Sequence, residues 1–154
     1  MQKWLALAKT LGARLQSFEW VWVLVARLGV GGMFMLSGWG KLQDLDKFVK
    51  YFTRLGIPLP EFQAPFVAVV ELVGGFLLIL GLGTRLFGFL LGFTMIVALA
   101  TSIDYEGKGL SDFLYLSEWL LLLLSFWFIF RGAGQASLDH RLFGGPTTEH
   151  QDEG

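Results

Sequence analysis

Residues 62–82 read FQAPFVAVVELVGGFLLILGL, and this stretch decides the fold class. Glu71 is its only charged residue. The stretch has the length of about 20 apolar residues that a helix needs to cross a hydrocarbon core of about 30 Å. Because the backbone polar groups of a membrane span must be paired internally, a single apolar run of this length predicts a transmembrane helix.

Three further runs have the same character and occupy residues 20–39, 86–103 and 113–130. Arg27 is the only charge of the first run, Glu118 is the only charge of the last, and the middle run has none. The sequence LLLLSFWFIF in the last run lacks the alternation of a barrel strand. We therefore predict an all-α integral membrane protein, a four-helix bundle that crosses the bilayer four times.

The composition agrees with a membrane protein and limits its chemistry. Of 154 residues, 54% are hydrophobic and 16% are charged, where a soluble domain carries about 25% charged residues. The net charge of -1 and the lack of a basic stripe argue against nucleic acid as a partner. The chain has no cysteine, and its two histidines, His140 and His150, lie near the C-terminus. We predict no metal site and no intrinsic redox centre, so any redox chemistry needs a bound organic molecule or a partner's cofactor.

The segments between and around the runs predict surface helices and a tail. In residues 44–55 one helix face is apolar, which predicts a short interfacial helix between transmembrane helices 1 and 2. The apolar positions of that face are Leu45, Phe48, Val49, Phe52 and Leu55. Residues 1–19 predict an amphipathic helix on the membrane surface, with a frayed terminus as the alternative. Residues 20–143 then form the transmembrane domain, and 144–154 a disordered tail.

The lysine and arginine residues are divided almost equally between the two faces of the predicted bundle, so the positive-inside bias is weak. The N-terminal segment carries Lys3, Lys9 and Arg14 close before the first run. Because charges close to the first helix usually set the orientation, we predict a multi-pass protein with both termini in the cytoplasm.

Each of three runs carries one charge that, by default, faces the bundle interior and finds a partner. At about 1.5 Å of rise per residue, Arg27 lies about 10 Å inside the terminus-side boundary, and Glu71 and Glu118 roughly 16 to 18 Å. We predict that one guanidinium faces two carboxylates, one of which keeps a proton. Such a site suits proton exchange with a quinone or the binding of a polar headgroup. The alternative is a structural ion pair that fixes helix register.

Four further residues have open interpretations. Lys41 follows Trp39 at the end of the first run, where it is either an interface anchor or a ligand contact. Arg85 at the start of the third run is most simply an anchor that reaches the interface. Gly88 and Gly92 form a G-x-x-x-G pattern, which predicts close helix packing, either inside the bundle or between protomers of a homo-oligomer.

The chain resembles the DoxX family of small bacterial membrane proteins. The matching pieces are RLGVGGMF (27–34) with SGWGK (37–41), FTRLGIP (52–58), ELVGGFLLILGLGTR (71–85) and GAGQASLD (132–139). The resemblance implies a four-helix bundle in the bacterial plasma (inner) membrane and a role as an oxidoreductase subunit. The family's charged positions carry over onto Arg27, Lys41, Glu71 and Arg85.

Three functions remain open at this point. In the first, the chain is a quinone-linked subunit of a membrane redox complex, with Glu71 and Arg27 as catalytic candidates and a redox protein as partner. Arg27, Lys41, Glu71, Arg85 and Glu118 are then the ligand-binding candidates. In the second, the chain is a non-enzymatic anchor or assembly subunit for a soluble enzyme. In the third, it is a component of a small transporter.

Overall fold

A computed structural model of the protein describes residues 18–102, 117–134 and 136–143. These residues form helices and short connections, without a strand in any of the three ranges. The six helices are α1 Glu19–Gln43, α2 Leu45–Arg54, α3 Pro60–Leu80, α4 Thr84–Ser102, α5 Ser117–Arg131 and α6 Leu138–Phe143. The predicted tail over 144–154 and almost all of the predicted surface helix over 1–19 lie outside the described residues.

The predicted all-α membrane class is confirmed, because the described helices include apolar ones able to span a membrane. α1 with 25 residues and α3 with 21 residues have the required length and composition. α4 contributes a shorter apolar stretch, Thr84–Ala100. The number of crossings and the exact arrangement of four helices stay predictions. The interfacial helix predicted over 44–55 falls where the structure places α2.

Glycines set how closely α1 approaches α3. A Cβ atom at Gly75 would lie 2.6 Å from the carbonyl oxygen of Gly31, and one at Gly38 would collide with the backbone of Leu72. The backbones of the two helices therefore touch, as small residues allow in membrane helices. The helices run antiparallel, since Gly31 lies against Gly75 while Gly38 lies against Ala68. This packing brings the end of α1 beside the middle of α3.

Gly88 and Gly92 serve a second close contact, between α4 and α5. A Cβ atom at Gly88 would lie 3.0 Å from the carbonyl oxygen of Ser125, and one at Gly92 would lie 3.5 Å from the Ser125 Cβ atom. Both glycines are buried. Of the two predicted uses of this pattern, the structure has the packing inside the chain, and α5 covers the glycines that a second copy would need. The predicted homo-oligomer itself stays a prediction.

One apolar core connects the long helices. Its buried side chains come from α1, α3, α4 and α5, and they are Val30, Phe34, Leu78, Leu91, Met95, Leu99, Leu122 and Phe128. Many large apolar side chains face outward instead, among them Leu36, Phe66 and Phe89. This outward apolar surface is the one that lipid would cover. α2 is held against α3 and buries Phe52.

Candidate functional site

Glu71 lies in the middle of α3 and is only 1% exposed. The Lys41 ammonium donates to both of its carboxylate oxygens, with Nζ at 2.5 Å from each. The Ser37 hydroxyl donates to Oε2 at 3.0 Å. The buried charge is therefore balanced by a lysine and held by a hydroxyl, both from α1.

The helix directions explain this pairing. Side chains of an α-helix lean toward its N-terminus. Lys41 therefore leans from the end of α1 back toward the middle of the helix, and Glu71 leans toward the start of α3, which is the same end of the molecule. Ser37 precedes Lys41 by four residues and so shares its helix face.

An open groove of about 530 Å³ lies between the end of α1 and α2, directly outside the ion pair. Ser37 and Lys41 form its inner end, where the Lys41 ammonium also lies 5.1 Å from the centroid of the Phe48 ring. A quarter of the Lys41 side chain, 26%, is exposed. Within the described residues, each hydrogen bond to the buried Glu71 carboxylate thus comes from a side chain that lines the groove.

The α2 side of the groove carries Lys47, Tyr51 and Arg54. Lys47 donates a hydrogen bond to Oδ2 of Asp44 at 2.8 Å. This bond lowers the pKa of the Asp44 carboxyl below its ordinary value and raises the pKa of the Lys47 ammonium. Asp44 therefore stays ionised at neutral pH, and the two side chains form an exposed ion pair.

Arg27, which is 2% exposed, forms a second buried polar site at the opposite end of α1. Its Nη1 donates to the carbonyl oxygen of Ala133 at 2.5 Å, and its Nη2 donates to that of Ile79 at 3.1 Å. Its Nε has no hydrogen-bond partner among the described residues. The guanidinium therefore joins the end of α3 to the segment that follows α5.

Asp139 completes this second site. Its carboxylate accepts from the backbone N–H of Gly83 at 2.8 Å and of Thr84 at 3.1 Å, so it caps the start of α4. Its own N–H donates to the carbonyl oxygen of Gly81 at 3.0 Å. The carboxylate also attracts Arg27 electrostatically. The glycine-rich segment after α5 is thus folded back onto the turn between α3 and α4.

The predicted cluster of Arg27 with Glu71 and Glu118 is not formed. The Arg27 side chain leans toward the start of α1, away from Glu71, because of the same N-terminal lean that brings Lys41 and Glu71 together. Glu118 lies partly buried in the first turn of α5. Within the described ranges it makes no hydrogen bond or ion pair with either residue.

The other candidates separate in the same way. Lys41 lies in the groove. Arg85 is exposed at the start of α4, and its guanidinium lies close to Gly132, the residue that follows α5. The sequence did not single out Ser37 or Arg54 as groove residues. The available signal was helical spacing. Ser37 and Lys41 are four residues apart, and Lys47 and Arg54 are seven apart, so each pair shares one helix face.

Among the residues that the structure describes, no group of acidic, histidine or cysteine side chains has the geometry to hold a metal ion.

Comparison with known proteins places this architecture in a family. The sequence profile of the DoxX family matches residues 22–103. The chain is 34% identical over 131 residues to a Bacillus subtilis (strain 168) protein named "Putative oxidoreductase CatD", which covers 84% of this chain and 92% of the relative. It is 29% identical over 135 residues to the inner membrane protein YqjF of Escherichia coli (strain K12). That alignment covers 83% of this chain and 97% of the relative.

A third relative is the inner membrane protein YphA of Escherichia coli (strain K12). It is 35% identical over 65 residues, which is 42% of this chain and 46% of the relative. No solved structure matches the chain. The resemblance drawn from the sequence is confirmed, and the chain belongs to the DoxX family of membrane proteins.

Proposed function

We propose that this protein is a small subunit of a quinone-linked redox assembly in the bacterial plasma membrane, with a quinone head bound in the groove against Lys41 and Glu71. One observation carries the proposal. The buried Glu71 carboxylate is bonded only by Ser37 and Lys41 among the described residues, and both line an open groove at the end of a long apolar helix. The relative named as an oxidoreductase supports a redox role.

The chemistry of a quinone matches the groups in the groove. A quinone takes up two electrons and two protons to become a quinol, and its two carbonyl oxygens accept hydrogen bonds. The Ser37 hydroxyl and the Lys41 ammonium are donors that line the groove. Glu71 would exchange a proton with the bound head through Ser37 or Lys41, as a positioned carboxyl can do in general acid–base catalysis.

The electrons must come from, or pass to, a partner protein. The chain has no cysteine for an iron–sulfur cluster. In this proposal the protein therefore supplies the quinone site and the proton-exchanging carboxyl, and the partner supplies the redox centre. Arg27, which the sequence proposed for contact with the polar head, is replaced in that role by Lys41, because Nη1 and Nη2 of Arg27 donate to backbone carbonyls at the opposite end of α1.

An anchor function finds less support in the structure. It would use α2 and the segment through Asp139 as contact surfaces for a soluble enzyme, and Asp139 is not free for such a contact. That residue is bonded instead to Gly81, Gly83 and Thr84 of its own chain.

The experiment fills the groove without touching its polar groups. Gly40 lines the groove, and a Cβ atom there would meet no neighbouring side chain within 4 Å. Gly40→Leu therefore introduces bulk into open space, and it also improves helix propensity. The protein is purified in mild detergent, its bound quinone is extracted with organic solvent, and the amount of quinone per protein molecule is measured. The wild type is expected to retain quinone, and Gly40→Leu is expected to lose most of it.

Gly29→Leu is the matched control, because Gly29 lies on the same helix, has equally open space and does not line the groove. It is expected to retain as much quinone as the wild type. Equal retention in Gly40→Leu and Gly29→Leu would place any quinone elsewhere. A wild-type protein that carries no quinone and binds none when it is added would overturn the proposal.

A further inference from the structure

The α2 side of the groove is chemically different from its inner end. Lys47, Tyr51 and Arg54 follow one another at i, i+4 and i+7, and all three line the groove. With about 1.5 Å of rise per residue, Lys47 and Arg54 start about 10 Å apart on α2. We call these three residues the rim of the groove. The hydrogen bonds to Glu71 within the described residues come from Ser37 and Lys41 and not from the rim.

The rim carries a positive charge that is not balanced by an acidic side chain among the described residues. The charge of Lys41 at the inner end is balanced by Glu71, and Lys47 is paired with Asp44. Arg54 has no ion-pair partner in the part of the chain that the structure describes, and it is exposed. A ligand that brings an anionic group to the rim therefore gains an attraction that the protein itself does not use.

The groove also offers apolar surface. Leu36 lines it and is 69% exposed on the outer side of α1, and the Phe48 ring lies beside Lys41. A small inorganic anion would leave this surface uncovered. A molecule with an anionic head and an apolar chain would cover both parts, because burial of the chain adds to the attraction of the head.

The position of α2 identifies such a molecule. α2 buries Phe52 against the bundle and exposes the charged Lys47, Lys50 and Arg54, the pattern of a helix that lies in the interface of a bilayer. Phospholipid headgroups occupy that layer, and anionic ones attract lysine and arginine there.

We propose that the rim binds the headgroup of an anionic phospholipid, whose phosphate contacts Arg54, Lys47 and the Tyr51 hydroxyl while an acyl chain lies along Leu36 and Phe48. This site goes beyond the proposed function and does not depend on it, since it uses the rim and not the Lys41–Glu71 pair.

The test measures lipid binding to single variants. The full chain in detergent is titrated with phosphatidylglycerol, and with phosphatidylcholine of the same acyl chains, and bound lipid is counted by native mass spectrometry. The wild type is expected to prefer phosphatidylglycerol. Arg54→Gln and Lys47→Gln are each expected to weaken its binding about fivefold, the effect of one basic residue near a membrane surface. Lys50→Gln, on the same helix but outside the groove, is expected to have no effect.

Asp44→Asn gives a change in the opposite direction. Asp44 stays ionised because its pKa is lowered, so the substitution, rather than mild acid, is the way to remove its charge. The variant releases Lys47 from its ion pair, and phosphatidylglycerol is expected to bind more tightly by a similar factor of about five. All four substituted side chains are exposed, and thermal unfolding of each variant verifies that it folds.

Three results would overturn the site. If Lys50→Gln weakens binding as much as Arg54→Gln, the attraction belongs to the whole surface of α2. If Arg54→Gln and Lys47→Gln leave binding unchanged, the rim does not hold the headgroup. If millimolar inorganic phosphate displaces the lipid, the headgroup alone is recognised and the apolar part of the groove has no role. Quinone content measured on the same Arg54→Gln protein is expected to stay at the wild-type level.

Discussion

Arg27 and Glu71 are almost equally buried, but their hydrogen bonds go to different kinds of group. Arg27 donates to the main-chain carbonyls of Ile79 and Ala133, and the folded-back segment after α5 closes that end of the molecule. Glu71 accepts from the side chains of Ser37 and Lys41, which line an open groove. The Arg27 charge is bonded to the backbone, and the Glu71 charge is separated from a ligand-sized groove only by the side chains of Ser37 and Lys41.

This difference indicates two roles. A main-chain carbonyl cannot turn away without a shift of its helix, so the bonds of Arg27 fix the relative positions of α1, α3 and the segment after α5. A lysine side chain is long and flexible, so the bond between Lys41 and Glu71 can reorganise without a change in the helices. We therefore expect substitutions at the Arg27 end to reduce stability, and substitutions at the Glu71 end to affect mainly ligand binding.

Arg27→Met tests the comparison with the largest expected effect. The variant keeps much of the apolar volume and leaves the carbonyls of Ile79 and Ala133 without their donor. Hydrogen bonds to charged groups contribute about 1.5 kcal/mol or more each, so the free energy of unfolding is expected to fall by about 3 kcal/mol. Reversible unfolding in a denaturing detergent, followed by tryptophan fluorescence, measures it.

Arg85→Met is the matched control, because it removes the same charge from an exposed position. Its free energy of unfolding is expected to stay within about 0.5 kcal/mol of the wild type. If both variants lose the same stability, the effect comes from net charge and not from the bonds of Arg27.

Asp139→Ala is expected to have a smaller effect at the same end. It removes the acceptor for the N–H groups of Gly83 and Thr84, and the loss of such a helix cap costs about 1 kcal/mol. Hydrogen exchange at these two amides is expected to accelerate, while exchange in the middle of α3 stays unchanged. Asp139→Asn keeps one acceptor oxygen, so the exchange rates of these amides should lie between those of the wild type and of Asp139→Ala. Unchanged exchange at Gly83 and Thr84 would mean that Asp139 does not hold the turn.

The sequence predicted the membrane class and the family, and it singled out Arg27 and Glu71 as charges inside apolar runs and Lys41 as a charge at the end of one. It placed Arg27 with Glu71 because it compared the depths of the residues along the helix axes. The lean of side chains toward the helix N-terminus reverses that result, and it pairs Glu71 with Lys41 instead.

The site around Arg27 was beyond the reach of the sequence for another reason. Its partners are the carbonyl oxygens of Ile79 and Ala133, and main-chain carbonyls carry no sequence signal. The same applies to the glycines. The G-x-x-x-G pattern directed attention to Gly88 and Gly92, while Gly31 and Gly75, 44 positions apart in the chain, form the contact between α1 and α3.

Glu71→Gln has the smallest expected effect on stability and is the most direct test of the comparison. The substituted amide side chain would keep an oxygen that accepts from Ser37 and Lys41, and the partly exposed Lys41 can extend into the groove. The free energy of unfolding is expected to change by less than about 1 kcal/mol. If Glu71→Gln instead costs as much as Arg27→Met, the Lys41–Glu71 pair fixes helix register, and both ends of the molecule serve the fold.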